Sequence, residues 1–401
     1  MTTLAELAAS PNALAPHYER FRVAERLLLT GHSHQAWPDV ARDGQVEAYD
    51  DAARWVDDKW ERAAAKADEV RAGFRGLLGD PGGEIALAAS THELVVRLLS
   101  GLDLAGRRPR LVTSDGEFHS LRRQLARLAE AGVEVVRVPA APVATLAERL
   151  AAVADDRTAA VLVSAVLFES ARIVPHLDGL ATACRDRGAE LLVDVYHALG
   201  PVPLPIHEMG LADAWITGGG YKYLQLGEGN CFLRLPPHGL GIRPVVTGWF
   251  AEFDTLSDEH QPDVVAYAPG AQRFAGGTYD PTSNYRAARV FAFFADHGLT
   301  PALLRRSYLH QVEALARAFD ALDAPDALIT RDRGAPTDAF GGFLALRTPH
   351  AARLRDELRT RGVVVDSRAD VLRLGPAPYL SDAQLHDGIA ALGDALAVLA
   401  G

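Results

Sequence analysis

Lysine is scarce in this chain of 401 residues. Lysine and arginine together number 41, but Lys59, Lys66 and Lys222 are the only lysines, so arginine occupies almost every basic position. A guanidinium stays charged, whereas a lysine amine that loses its proton can attack a carbonyl and form a Schiff base. Lys59 and Lys66 lie in a polar, alanine-rich helical stretch, while Lys222 follows an apolar run and three glycines. Lys222 is therefore the candidate reactive amine, with an ordinary surface lysine as the alternative.

Cysteines and long apolar runs are equally rare. Cys184 and Cys231 form neither a disulfide framework nor a zinc spacing, and His32 and His34 have no further ligand at a metal-binding spacing. No apolar run approaches the roughly 18 residues of a membrane span, and the N-terminus lacks the pattern of a signal peptide. The net charge of −11 disfavours a nucleic-acid or anionic-membrane surface. We expect a cytoplasmic protein without a metal, nucleic-acid or membrane partner.

Short apolar runs alternate with amphipathic stretches from residue 84 onward. The runs predict strands at 85–88, 110–113, 133–138, 159–164, 190–193, 213–217 and 230–235, and helices are predicted at 91–101, 118–131, 144–154 and 176–188. This alternation is typical of a mostly parallel sheet covered by helices. We predict an α/β fold with three parts. They are an N-terminal segment (1–50) that packs on the small domain and the active site, a large domain (51–285) with a mostly parallel seven-stranded sheet, and a smaller α+β domain (286–401).

Two of the apolar runs end at residues that suit a cofactor. Asp194 ends one run, and Lys222 follows the next run after a glycine cluster. In an open α/β sheet, ligands bind beyond the carboxyl ends of the strands. A lysine there can hold pyridoxal 5'-phosphate (PLP) while a carboxylate pairs with its pyridine nitrogen. We predict these roles for Lys222 and Asp194, although Asp194 would also serve as a cap of the following turn.

Two further turns fit the same cofactor. Ser90 and Thr91 lead from a strand into a helix, where N–H groups and hydroxyls bind phosphate. Ser90 and Glu93 also form the pattern of a capping box, and the two interpretations are compatible. Phe118 follows another strand and could stack on the pyridine ring, although an aromatic residue at such a position is more often part of the core.

Arg373 lies within an apolar strand pattern near the C-terminus. An unpaired charge there would be costly. A bidentate contact with a substrate carboxylate explains the residue, and a buried structural ion pair is the alternative.

Several motifs occur in the order seen in kynureninases. They are Asp194-x-x-His197, Tyr221-Lys222-Tyr223, Gly248-Trp249, Pro269-Gly270-x-x-Arg273-Phe274 and Arg373-x-Gly375-Pro376-x-Pro378. The chain resembles this family of PLP enzymes over nearly its whole length. Kynureninases belong to the class V aminotransferase group and have the aspartate-aminotransferase-like fold (fold type I). The resemblance implies a homodimer with the active site at the subunit interface, acting on an amino acid.

The resemblance also implies individual roles. Lys222 would be the Schiff-base lysine, Asp194 the pyridine partner and Phe118 the stacking aromatic, with His197 near the cofactor. The phosphate contacts would be Thr91, Tyr221 and, from the other subunit, Trp249, and Arg373 would hold the α-carboxylate. The implied reaction is hydrolytic cleavage of the Cβ–Cγ bond of an L-kynurenine-like amino acid, which gives alanine and an aryl carboxylate.

The match fails on the substrate-facing side. Kynureninases carry Gly-Asn-Ser-Leu-Gly where this chain has Gly-His-Ser-His-Gln at 31–35, and Ser-Asn-Pro-Pro where it has Gly-Thr-Tyr-Asp at 277–280. Tyr196 also intrudes between Asp194 and His197. We therefore expect a kynureninase-like enzyme with an altered substrate. The residues expected to shape its pocket are His32, Ser33, His34, Tyr196 and Tyr279.

Other reactions on the same fold remain as alternatives. A cysteine desulfurase needs a reactive cysteine in the C-terminal domain, and Cys184 and Cys231 both lie in the large domain. Transamination, epimerisation and β/γ-elimination remain open, because the groups around PLP choose among its reactions. Gly277-Thr278 resembles the turn by which many class V aminotransferases reach the phosphate across the dimer, so Thr278 is a further phosphate candidate. A non-catalytic scaffold is disfavoured by the joint presence of Lys222, Asp194 and Arg373.

Overall fold

The computed structural model of the protein describes residues 2–255 and 263–400. Its helices are α1 (Leu4–Ala8), α2 (Val40–Trp55), α3 (Lys59–Leu78), α4 (Thr91–Ser100), α5 (His119–Glu130), α6 (Leu146–Val153), α7 (Leu177–Arg187), α8 (Thr282–Asp296), α9 (Pro301–Asp320), α10 (Ala351–Thr360) and α11 (Asp382–Ala400). Its strands are β1 (Leu27–Leu28), β2 (Glu84–Ala88), β3 (Arg110–Ser114), β4 (Glu134–Val138), β5 (Thr158–Ser164), β6 (Glu190–Asp194), β7 (Trp215–Gly219), β8 (Cys231–Leu235), β9 (Thr330–Arg331), β10 (Leu344–Arg347), β11 (Val363–Val364), β12 (Asp366–Arg368) and β13 (Val371–Leu374). Short 3₁₀ turns connect several of them.

The central sheet has seven strands in the order β2-β8-β7-β6-β5-β3-β4. The neighbours from β7 to β4 pair in parallel, and β8 runs antiparallel to both β2 and β7. All seven predicted strands are present, and each of the four predicted helices lies where the pattern placed it. The predicted α/β class with a mostly parallel sheet is confirmed.

The two faces of the sheet pack against separate hydrophobic cores. Along β5, Val161 and Val163 belong to the larger core, while Ala160 and Leu162 belong to the smaller one. Successive side chains of a strand point to opposite faces, so a strand covered on both sides must be apolar throughout. Every residue of β5 and β7 is buried, as this arrangement requires.

A second sheet of four antiparallel strands, in the order β12-β13-β10-β9, belongs to the C-terminal part of the chain. The N-terminal segment joins this part, because β1 pairs in parallel with β11 and Thr30 bridges to Gly375. Gly31 to Gln35 therefore follow directly beside the end of β13. The boundaries at residues 50 and 285 stay a prediction.

Lys59 and Lys66 both lie in α3, far from the strand ends that matter for ligands. Lys66 pairs with Glu47 and Glu69. Within residues 2–255 and 263–400, no helix is both long and apolar enough to cross a bilayer.

Candidate functional site

A cavity of about 220 Å³ opens at the carboxyl ends of the central strands. It brings together predicted site residues from four separate stretches of the sequence. The predicted site residues that line it are Ser90, Thr91, Phe118, Asp194, His197, Tyr221 and Lys222. The edge of an open α/β sheet where ligands usually bind is thus the edge that carries these side chains.

Lys222 is nine-tenths buried or more, at 5% exposure, and its amine faces His197. Nζ lies 2.7 Å from Nε2 of the imidazole. Burial lowers the pKa of Lys222 to about 7, although the negative charge of Asp194 acts to raise it. Burial and the nearby lysine also lower the pKa of His197 well below its usual range. A neutral imidazole can accept the hydrogen bond that the amine donates, and a neutral amine is the nucleophilic form.

Asp194 ends β6 and is oriented by the turn that follows it. Its Oδ1 accepts a hydrogen bond from the backbone N–H of Tyr196 at 2.8 Å. This bond is the turn-capping role considered for the residue, and it leaves Oδ2 for another partner. Burial raises the pKa of Asp194, because a charged carboxylate in a dry site needs a cation or a donor beside it. A protonated pyridine nitrogen would supply one.

The N-terminus of α4 forms the opposite end of the cavity. Ser90 is the N-cap residue, and its Oγ accepts from the N–H of Glu93 and donates to the carboxylate of the same residue. Ser90 is therefore a true N-cap, but the pattern is not a full capping box, because Glu93 binds the serine hydroxyl and not the serine backbone N–H. The first turn of α4, with Thr91, nevertheless faces the cavity and provides the partial positive charge that anions favour.

Together these groups fit PLP. The cavity offers a buried, largely neutral amine for the aldehyde, a buried carboxylate for the ring nitrogen and a helix N-terminus for the phosphate. Phe118 lies beside the amine, with Nζ of Lys222 5.2 Å from its ring centroid. Nδ1 of His197 is buried and has no hydrogen-bond partner among the described residues. A buried polar atom normally has one, so this nitrogen is available to a bound group.

Arg373 is not among the residues that line the cavity around Lys222, and it is paired within the chain. Its Nη2 donates to Oδ2 of Asp366 at 2.5 Å, and its Nη1 donates to the carbonyl oxygen of Phe168 at 2.7 Å. Asp366 also bonds Arg368, at 2.8 Å. The ion pair that the sequence analysis weighed as the alternative is thus present. Within the described residues Nε of Arg373 has no partner, so the guanidinium retains donors.

His32 approaches this ion pair from the N-terminal segment. Its Nε2 lies 3.7 Å from Asp366, and its ring packs on Phe343 at 4.8 Å. Burial lowers the pKa of His32 to about 3, so the residue is neutral at physiological pH. Ser33 contacts His34, whose exposed ring stacks on Tyr221 at 5.0 Å.

Trp249, Thr278 and Tyr279 do not line the cavity around Lys222. Nε1 of Trp249 donates to Oγ1 of Thr278 at 3.2 Å, and both aromatic residues are partly exposed. Thr278 and Tyr279 line a second, larger cavity of about 1030 Å³. The two cavities share Ala89, Glu228 and Gly229 as lining residues. One chain alone therefore does not bring these three residues to the cofactor site.

Sequence reasoning missed three residues that support the site from outside the cavity lining. Glu117 is buried between the hydroxyls of Ser114 and Ser164, each 2.6 Å away. Asp366 pairs with Arg373, and Gln225 anchors the turn after Lys222. Glu117 adjoins Phe118 in sequence, which was an available signal, whereas the contacts of Asp366 and Gln225 join distant segments.

The chain is similar in sequence to kynureninases and to an aminotransferase. Residues 315–392 match the sequence model of the kynureninase C-terminal domain. The kynureninase of Pseudomonas fluorescens is 26% identical over 420 residues, which cover 99% of this chain and 96% of that protein. An uncharacterized aminotransferase of Bacillus subtilis is 23% identical over 345 residues, covering 86% of this chain and 88% of that protein.

A solved structure with the same fold carries PLP. It is a C-DES mutant with glycine covalently linked to the PLP cofactor, and it superposes with a TM-score of 0.81 at 17% identity. The alignment covers 94% of this chain and 98% of that one. The expected fold type I architecture and the expected PLP cofactor are confirmed.

Proposed function

We propose that this chain, a kynureninase-like PLP-dependent enzyme of fold type I, hydrolyses the Cβ–Cγ bond of an amino acid related to L-kynurenine. The main support for this proposal is the buried amine of Lys222 at the strand ends beside Asp194. Its Nζ lies 2.7 Å from Nε2 of His197. The match to kynureninases extends over the whole chain and supports this reaction over others on the same fold.

Lys222 has two tasks in this proposal. As the neutral amine that burial favours, it attaches the cofactor. With a substrate bound, its Nζ would take the proton from the substrate Cα. PLP, when bound, supplies an electron sink for the negative charge that this proton leaves behind. His197 keeps Nζ oriented and stays neutral, so it does not repel the amine when the amine is protonated.

The other cavity residues hold the cofactor. Asp194 would keep the ring nitrogen protonated and thereby strengthen the electron sink. Ser90, Thr91 and Tyr221 would bind the phosphate at the N-terminus of α4. Trp249 and Thr278 would complete the phosphate site from a second subunit, since they lie away from Lys222 in their own chain.

Arg373 would bind the substrate α-carboxylate through donors that Asp366 and Phe168 leave available. The local charges support this assignment, because Asp366 is shared between Arg373 and Arg368. One positive charge is therefore in excess, and a single carboxylate would balance it. His32, Ser33 and Tyr279 would shape the remainder of the substrate pocket.

The reaction consumes one water. The water adds its oxygen to the γ-carbonyl carbon, the Cβ–Cγ bond breaks and Cβ takes a proton. The products are alanine and a carboxylic acid.

Transamination is the second candidate, within a group that also includes epimerisation and β/γ-elimination. The glycine-threonine pair at 277–278 favours it, as does the relative named as an aminotransferase.

The test is a visible spectrum of the purified protein and of Lys222→Ala, followed by addition of L-kynurenine and 3-hydroxykynurenine. We expect a PLP–lysine absorption band that is absent in Lys222→Ala, and release of alanine with an anthranilate. A band without release of alanine would overturn C–C hydrolysis of kynurenines. Conversion of an added 2-oxo acid to an amino acid would establish the transaminase alternative.

A further inference from the structure

Tyr196 is a large aromatic side chain on the wall of the cofactor cavity. It comes directly after the turn that orients Asp194, and its N–H makes the hydrogen bond to that carboxylate. Tyr196 is partly exposed, and so is Phe118, although the strands that precede them, β6 and β3, are mostly buried. Because both side chains line the cavity, part of the exposed ring surface faces the cavity.

The amine of Lys222 lies at nearly the same distance from these two rings, and the ring of Tyr221 is slightly farther away, at 5.6 Å. Nζ is 5.1 Å from the ring centroid of Tyr196 and 5.2 Å from that of Phe118. The rings have different neighbours: Phe118 meets Phe168 edge-on at 5.4 Å, whereas Tyr196 meets Tyr221 at 5.1 Å. The two aromatic side chains therefore belong to different groups of packed rings.

The strand order explains the separation of the two rings. Phe118 follows β3 and Tyr196 follows β6, and β5 lies between these strands. Adjacent strands are about 4.8 Å apart, so the two strand ends are separated by roughly 9–10 Å. Aromatic rings stack with centroids at least about 4.5 Å apart, so a flat ring between two others needs roughly 9 Å. The spacing suits one inserted ring.

The position of the Tyr196 ring is fixed by its surroundings. Its hydroxyl lies 3.6 Å from Sγ of Cys231. Gly219 makes room for it, since a Cβ there would lie 2.6 Å from that sulfur and would collide with the tyrosine hydroxyl. The glycine run before Lys222 thus admits the tyrosine as well as forming the turn.

We propose that Tyr196 and Phe118 form a two-ring slot that holds the pyridine ring of PLP between them. This inference rests on PLP as the cofactor, which the proposed function shares, but it does not depend on the substrate. The slot holds the ring by stacking on both faces, while Asp194 and the N-terminus of α4 hold its two polar ends.

The test measures cofactor binding to full-length protein from which PLP has been removed. Tyr196→Leu keeps the bulk of the side chain without the ring, Tyr196→Phe keeps the ring, and Phe118→Leu removes the other wall. We expect Tyr196→Leu and Phe118→Leu to bind PLP roughly threefold to tenfold more weakly than the wild type, the range that follows from loss of one stacked pair. Both should also change the induced visible circular dichroism of the bound ring. Tyr196→Phe should match the wild type in both readouts.

Wild-type PLP affinity and unchanged circular dichroism in Tyr196→Leu would overturn the slot, and so would tighter binding. A lower affinity in Tyr196→Phe equal to that of Tyr196→Leu would also overturn it, because the hydroxyl rather than the ring would then bind the cofactor. Failure of kynurenine cleavage alone leaves these readouts unaffected, so the two proposals fail separately.

Discussion

Glu117 places a second buried carboxyl group near Asp194. It is 2% exposed, and Ser164, whose hydroxyl it binds, pairs in register with Asp194. Burial raises the pKa of Glu117 to about 7; the two serine hydroxyls oppose this shift and the charge of Asp194 adds to it. The folded protein therefore retains this proton at pH values where the unfolded chain has lost it.

We predict that Glu117→Gln removes a pH dependence of stability. A carboxyl whose pKa is raised on folding contributes stability below its unfolded pKa of 4.5, and this contribution is lost as the pH rises towards 7. Glutamine keeps the shape without the charge. The wild type should therefore lose stability relative to Glu117→Gln as the pH rises from 4.5 to above 7. The difference in free energy of unfolding should grow over this range by up to roughly 3 kcal/mol. Urea unfolding at pH 5 and pH 8 measures this difference.

Glu130→Gln is the control for this experiment, because Glu130 is exposed at the end of α5. It should follow the wild-type pH profile. Parallel profiles of Glu117→Gln and the wild type would contradict the prediction.

The Arg373–Asp366 pair gives a second prediction for single residues. Both side chains are at least 88% buried, at 4% and 12% exposure. An entirely uncompensated buried charge typically costs about 3–5 kcal/mol, but Asp366 keeps Arg368 as a charged partner, so removal of Arg373 should cost less, about 1–3 kcal/mol. We expect Arg373→Gln to lower the free energy of unfolding by this amount and the double variant Arg373→Gln/Asp366→Asn to recover part of it. Guanidinium unfolding of the four proteins gives the coupling, and strictly additive losses would argue against the pair.

At the scale of elements, the turn after β7 is tied to two distant parts of the chain. Gln225 lies in this turn with φ +61°, and its N–H bonds the carbonyl oxygen of Lys222 at 3.1 Å. Its side chain accepts a hydrogen bond from Tyr18 and donates to Gln35 at 2.9 Å. Gln35 in turn donates to Tyr308 of α9 at 3.0 Å. All four side chains are buried. One chain of buried hydrogen bonds therefore links the turn after Lys222, the N-terminal segment and helix α9.

We predict that Gln225→Leu destabilises the protein and loosens its hold on PLP. The substitution keeps the volume but removes the hydrogen-bond partner of the Tyr18 hydroxyl and of Oε1 of Gln35, at about 1–3 kcal/mol for each buried polar group. The free energy of unfolding should fall by several kcal/mol, and PLP should dissociate faster. Tyr18→Phe breaks a single link and should have a smaller effect in the same direction. Wild-type rates of PLP loss in Gln225→Leu would refute the coupling.

The central sheet was predictable because its signals are local. Each strand of the large sheet is a short apolar run, and each run ends in a turn whose residues can be read directly. Asp194 and Lys222 were found in this way, since both follow such runs. The strands outside the large sheet were harder to predict, because β1, β9, β11 and β12 have only two or three residues each.

The remaining site residues depend on contacts between distant segments. The partner of Arg373 lies on a neighbouring antiparallel strand, where Asp366 is its direct register partner. His32 reaches the same place because β1 pairs with β11. No spacing in the sequence reveals that these three residues meet. Tyr196 was noticed as an intrusion, but its position relative to Phe118 follows only from the strand order.

At the scale of the whole molecule, we propose that two chains assemble so that each completes the active site of the other. Several apolar side chains are exposed in the region from Val245 to Tyr279, among them Trp249 and Phe253. The cavity of about 1030 Å³ beside this region borders the cofactor cavity at Glu228 and Gly229. Sedimentation should give twice the 43.0 kDa of the chain.

We predict that two PLP-deficient variants complement each other. One variant is Lys222→Ala, and the other is the double substitution Trp249→Ala/Thr278→Ala. In a mixed dimer, one site combines an intact Lys222 with an intact Trp249 and Thr278, so random mixing should restore about a quarter of the wild-type PLP–lysine absorbance. Co-expression with two affinity tags isolates the mixed dimer. No gain over the separate variants would place Trp249 and Thr278 outside the partner's site.

The scarcity of lysine in this chain has a chemical consequence for an enzyme that binds an aldehyde. PLP is an aldehyde, and every accessible amine is a competitor for it. Lys59 and Lys66 both lie on α3, and the amine of Lys66 is engaged by two carboxylates. Arginine carries the other positive charges without reacting with aldehydes. With so few lysines, the chain offers PLP few amines with which it could react at the wrong place. We expect borohydride reduction of the holoenzyme to label one tryptic peptide, the one that contains Lys222.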